Sequence, residues 1–215
     1  LIALILAICM LPVTGFGAAD DGQLKSLDDT WYVYDTDDFE SLDISTGSSL
    51  WDVDGWTPQA RPSTRTMDST LQTDPQDSSN KVMRISRTAK NTSANERIYK
   101  SFERGGQAVN ATGDVRVGFR FLEEDAMNKN LAFSLKSSSD SGDYGGGAPG
   151  DRLIYLYFGD GRVREDSGSI VATYPVGEGW VNVDIIANTD AKIFDLYIYG
   201  EKAADSLTFF KTDSN

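Results

Sequence analysis

Along most of the chain apolar and polar residues alternate at a period of two, in short runs separated by clusters of Gly, Asp, Asn and Ser. That is the period of a half-buried β-strand, whose successive side chains leave on opposite faces. No 3.6-residue period persists over several turns, so the pattern predicts an all-β fold. Strands are predicted over 31–39, 81–87, 96–102, 114–122, 131–136, 152–158, 169–174, 180–187 and 193–199, with a further strand through 207–210.

Two junctions carry hairpin chemistry, Gly159-Asp160-Gly161 and Asn188-Thr189-Asp190, because Gly, Asn and Asp tolerate positive φ or form Asx turns. Two long polar segments, 41–79 and 137–150, break the alternation and read as loops. Trp51 and Trp56 lie in the first, where a tryptophan either plugs the end of a sandwich or forms an exposed platform.

Alternation also sorts the side chains by face. Val115, Val117, Phe119 and Phe121 share one side of their strand, as do Leu131, Phe133 and Leu135, Ile154, Leu156 and Phe158, Val181, Val183 and Ile185, and Phe194, Leu196 and Ile198. These are the predicted core. Their outward neighbours are Arg116, Arg120, Lys136, Tyr155, Tyr157, Asn182, Asp184, Asp195, Tyr197 and Tyr199. This mixture suits sugars: aromatic faces stack on the C–H side of a pyranose, and guanidinium, amide and carboxylate groups bond its hydroxyls. The same tyrosines also read as cross-strand pairs covering a solvated sheet. Tyr144, in the Gly-rich segment, is expected to act as a lid over the ligand.

The first eleven residues are almost wholly apolar, and Gly17-Ala18-Ala19 then precedes Asp20-Asp21. That is a signal-peptide profile, too short for a span of roughly 20 residues. Residues 1–19 therefore read as part of a signal peptide, 20–29 as an N-terminal linker and 30–215 as one β-sandwich domain whose polypeptide continues C-terminally. The one cysteine, Cys9, falls in the leader, so the exported domain is expected to be held by its core alone. With 20 Lys+Arg against 33 Asp+Glu the net charge is −13, which repels phosphate backbones and anionic membranes. Expected partners are therefore polysaccharides, not nucleic acid or membrane.

Asp38-Phe39-Glu40-Ser41 with Gly47 and Gly55-Trp56, then Asn80-Lys81-Val82-Met83-Arg84-Ile85-Ser86-Arg87, and finally Asn188-Thr189-Asp190 with Phe194 to Lys202, resemble the concanavalin A-like lectin/glucanase jelly rolls. They are most similar to the accessory domains of secreted bacterial polysaccharide-degrading enzymes. The resemblance implies a jelly-roll β-sandwich of two antiparallel sheets, one concave and glycan-binding, with a structural calcium in many members. Asp35, Asp37, Asp38 and Glu40 offer the hard oxygen ligands calcium prefers, and read equally as a solvated acidic strand end.

Catalysis finds little support. The absence of histidine removes Ser-His-Asp and Cys-His systems and the usual zinc sites. The paired-carboxylate strand of the glucanase relatives is missing. Glu123-Glu124-Asp125, the nearest cluster, falls at a strand end and reads as a solvated turn. The function expected is a non-catalytic, extracellular carbohydrate-binding module of a larger secreted bacterial protein. The alternatives are a polysaccharide lyase or glycoside hydrolase of the same fold, and a structural or adhesive cell-surface domain.

Overall fold

The structure, a computed structural model, describes residues 2–7, 39–50, 53–59, 67–87, 97–100, 103–104, 107–108, 113–123, 131–136 and 152–210. These residues are all-β. In chain order the strands are β1 (Ile2–Ala7), β2 (Trp56–Gln59), β3 (Met67–Thr73), β4 (Lys81–Arg87), β5 (Arg97–Lys100), β6 (Glu103–Arg104), β7 (Gln107–Ala108), β8 (Asp114–Glu123), β9 (Leu131–Lys136), β10 (Arg152–Gly159), β11 (Arg162–Glu165), β12 (Ile170–Thr173), β13 (Val181–Asn188), β14 (Ile193–Ile198) and β15 (Glu201–Thr208). No helix among the described residues is long and apolar enough to cross a membrane.

Two antiparallel sheets face each other. The larger has seven strands in the order β15-β14-β13-β8-β1-β4-β3, and the smaller is a four-stranded meander, β12-β11-β10-β9. β8 and β13 are hydrogen-bonded neighbours although the whole meander lies between them in sequence. The chain therefore leaves one sheet, builds the other, and returns beside the strand it left. β2 pairs with β5, and β6 with β7, in small sheets of their own.

Between the main sheets lies the core that the alternation predicts. Phe119, Phe121, Val181, Val183, Ile185, Phe194, Leu196 and Ile198 from the seven-stranded sheet meet Ile154, Leu156, Phe158, Val163 and Ala172 from the meander. Phe119 stacks on Phe133 at 4.8 Å and meets Phe158 edge-on at 5.7 Å, which ties β8 across to β9 and β10. Each such side chain contributes about 1.5–3 kcal/mol by leaving water. Burial of this kind sets the register, since a one-residue slip would expose every core residue of a strand.

A second cluster, Phe39, Leu50, Trp56, Leu71 and Met83, covers the far half of the larger sheet. Leu6 pairs with both Met83 and Phe121, so these two residues lie on the same face and both clusters fill the inner side. Trp56 is buried here beside Phe39, which is the plug its loop position allows.

The hairpins form where the turn chemistry lies. Gly159 pairs with Arg162, leaving Asp160 and Gly161 as a two-residue turn with φ of 52° and 68°, the primed geometry that matches strand twist. Asn188 Oδ1 accepts the Ala191 N–H, three residues on, at 2.7 Å, which closes the turn ahead of β14.

The 41–79 loop is corrected. It contains β2 and β3, and β3 pairs with β4 along its full length. Its inward row runs through Ser69 and Leu71, both fully buried, and a serine in a core slot erases the apolar alternation. The strand expected at 207–210 begins earlier, at Glu201, because two register shifts against β14 and a positive φ at Ser206 break its period. Ile2–Ala7, within the expected leader, pairs on one side with β4 and on the other with β8. Of the strand expected at 31–39 only Phe39 is described.

Candidate functional site

The ten outward residues predicted on the strands divide between two faces on opposite sides of the sandwich. Arg116, Arg120, Asn182, Asp184, Asp195 and Tyr197 belong to the seven-stranded sheet, with Tyr199 in the turn between its strands β14 and β15, while Lys136, Tyr155 and Tyr157 belong to the meander. Sequence parity tells which side of its own sheet a residue takes, but not which sheet the strand joins. Tyr144, Asp35, Asp37 and Asp38 lie outside the described residues.

On the outer face of the larger sheet several charged groups pair with one another, while Arg120 Nε is buried with no hydrogen-bond partner. Asp184 Oδ1 accepts from Arg116 Nε at 2.7 Å and lies 2.6 Å from Arg116 NH2. It is buried because it lies over Gly118, where a Cβ would stand 2.9 Å from the same oxygen. Asp74, also buried, accepts from the Gln76 N–H at 2.8 Å, Trp180 Nε1 at 3.1 Å and Asn80 Nδ2 at 2.9 Å. The Arg120 guanidinium lies 3.7 Å from Asp74 and 4.8 Å from the centroid of the Trp180 ring. Trp180 in turn packs on Val82 and Leu122.

Further along this face Lys202 bonds Asp195 and Asp205, each at 2.7 Å, and sits 5.7 Å from the Tyr197 ring. Its ammonium is held above the ordinary lysine range chiefly by the hydrogen bond to Asp195. Asn182 is exposed opposite Arg120, and exposed Tyr199 donates its N–H to Asn182 O at 3.0 Å. This face thus carries the ion pairs Arg116–Asp184, Arg120–Asp74 and Lys202 with Asp195 and Asp205.

The outer face of the meander differs. Tyr155 and Tyr157 lie two residues apart on β10, with ring centroids 4.8 Å apart at 62°. Phe210, one of the exposed large apolar residues, stands 6.4 Å from Tyr155. Its N–H donates to Leu153 O at 2.9 Å, which fixes the segment after β15 against β10. The strand neighbours opposite the rings are short on one side: Ser134 faces Tyr155 and Ala132 faces Tyr157 across β9. On the other side Arg164 stands opposite Tyr157. Tyr157 Oη donates to Asp166 Oδ1 at 3.3 Å, and its phenol is pushed up mainly by partial burial, then by Tyr155. Phe210, Arg164 and Asp166 were missed because Phe210 and Asp166 lie at the ends of strands and β11 is too short to show a period.

Glu123 corrects the solvated-turn expectation. It is buried, its Oε2 accepts from Tyr174 Oη at 3.0 Å and its Oε1 from the Asp160 N–H at 3.3 Å. β8 runs one residue past its predicted end and carries the carboxylate into the sandwich. Glu40, the described member of the proposed calcium set, instead accepts the Lys81 N–H, while Lys81 Nζ reaches Leu42 O at 3.1 Å. Among the described residues no group of three or more His, Cys, Asp or Glu is gathered as a metal site.

Comparison with known proteins finds no matching family model, no matching curated protein and no matching solved structure.

Proposed function

We propose that the chain is a carbohydrate-binding β-sandwich, an extracellular module of a larger secreted bacterial protein with a concanavalin A-like jelly-roll arrangement. The observation that supports the reading best is the aromatic step Tyr155, Tyr157 and Phe210 on the meander, bordered by Ser134, Ala132 and Arg164. Ring faces beside short side chains leave room for a pyranose to stack, and a guanidinium at the border can bond its oxygens. The opposite face suits this role less, since Arg116, Arg120 and Lys202 are already engaged with Asp184, Asp74, Asp195 and Asp205.

A glycan array with the full chain tests the reading. Tyr155→Ala and Tyr157→Ala are expected to weaken every glycan bound by the parent, and Tyr197→Ala to leave binding intact. Loss of binding only in Tyr197→Ala would move the site to the other face.

A further inference from the structure

β1 holds an interior place in the larger sheet that removal of a leader would empty. It lies between β4 and β8, pairing Leu6 with both Met83 and Phe121, and Ile5 with both Arg84 and Leu122. Yet residues 2–7 fall within the expected leader, 1–19. Without them a slot with two unpaired ladder edges opens inside the sheet, and β3 and β4 lose the strand that joins them to β8. Buried backbone donors and acceptors are almost always paired, and an open edge is a template for another strand.

The flanks of the slot specify what fits it. On the inner side stand Met83 and Phe121, both fully buried. On the outer side Val82 and Leu122 are also buried and pack with Trp180. A strand between β4 and β8 is therefore covered on both faces and needs apolar residues at consecutive positions. Trp31-Tyr32-Val33-Tyr34 is such a run, aromatic and β-branched throughout, in the stretch 31–39 that the sequence predicts as a strand.

The chain also enters the rest of the fold at the matching corner. Phe39 is buried in the cluster that contains Met83. Glu40 accepts the Lys81 N–H, and Lys81 Nζ donates to Glu40 O at 3.3 Å. Lys81 opens β4, and β1 runs antiparallel to β4 from Arg87 to Met83, so β1 ends at this same corner. Residues 31–37, leading into Phe39, would pass through the slot in the direction of β1, and they outnumber the five β1 residues that pair with β4. The acidic end of the segment, Asp35 and Asp37, would come to the corner that holds Lys81 and Arg120.

We infer that, once the leader is removed, residues 31–37 take the slot between β4 and β8 and complete the larger sheet as its interior strand. This rests on the reading of residues 1–19 as a leader and not on carbohydrate binding, so an empty glycan array leaves it standing.

Hydrogen exchange of the full chain, read by mass spectrometry, tests it with Leu4→Pro, Val33→Pro and the double variant, because proline interrupts a paired strand. Each single variant is expected to keep Met83–Ile85 and Arg120–Leu122 protected, since the other segment fills the slot. The double variant is expected to exchange at least about tenfold faster there while Leu196 in β14 stays protected. Loss of protection in Leu4→Pro alone, or unfolding of that variant, would overturn the proposal. So would full protection in the double variant. Protection in Leu4→Pro that disappears on dilution, with a dimer in gel filtration, would assign the slot to a second copy of the chain and overturn it too. Recovery of the secreted protein with residues 1–7 still attached would overturn the leader reading and the proposal together.

Discussion

Tyr174 donates its phenolic hydrogen to Glu123 Oε2 at 3.0 Å inside the sandwich, joining the end of β8 to the chain that follows β12. The pair is a tether between the sheets. The second Glu123 oxygen accepts from the Asp160 backbone, so one carboxylate also holds the β10–β11 turn. Phe121 packs edge-on against the Tyr174 ring at 5.3 Å, keeping the phenol aimed inward. Tyr174→Phe keeps that packing and removes one donor from a buried acceptor, so it is expected to lower stability by about 1–3 kcal/mol. Urea unfolding measures this, and an unchanged midpoint would contradict the tether.

Alkaline pH should act through the same group. Burial, with the Glu123 carboxylate second, pushes the Tyr174 phenol above its ordinary range. The folded state therefore keeps its proton to higher pH than the unfolded chain does. Stability from this source is complete below the unfolded value of about 10 and falls as pH rises above it. Tyr157 and Tyr199 are shifted in the same direction and add to the slope. Unfolding midpoints between pH 9 and 11 should fall, less steeply in Tyr174→Phe. Parallel curves for parent and variant would contradict the assignment.

Two glycines should separate backbone strain from crowding. Gly161 has a φ of 68°, and a Cβ there would lie 2.7 Å from the Tyr174 carbonyl oxygen. Gly168, at a φ of 88°, would meet nothing within 4 Å. Gly168→Ala is expected to cost about 1 kcal/mol through its left-handed backbone alone, and Gly161→Ala clearly more. Thermal melts of the two variants make the comparison, and equal losses would contradict it.

Leu6 pairs with Met83 and with Phe121, so β1 bridges β4 and β8. Deleting residues 1–7 removes the partner of both ladders, and with residues 31–37 in its place amide hydrogens in Met83–Ile85 and Arg120–Leu122 are expected to stay protected. Faster exchange at both segments would show that no other part of the chain fills the same position.

Much of this architecture is legible in the alternation, and its gaps have physical causes. Phe119, Phe121, Val183 and Ile185 are buried where a period of two puts them, because both strands have one face in the core. β3 escapes because Ser69 occupies a core slot. Glu123 escapes because a carboxylate's burial depends on a tyrosine 51 positions away, which periodicity does not record. The candidate site is legible only in halves. Tyr155 and Tyr157 are correctly outward, but that they share a face with Arg164, and not with Arg120 or Tyr197, follows from strand order, which is set by long-range pairing.

The central claim is that sugars bind on the meander's aromatic step. Titration calorimetry of a glycan identified on the array against the parent, Tyr157→Ala and Tyr197→Ala tests it most directly. The account predicts that Tyr157→Ala loses at least about tenfold in affinity while Tyr197→Ala binds as the parent does. Undiminished binding in a folded Tyr155→Ala/Tyr157→Ala double variant would contradict it.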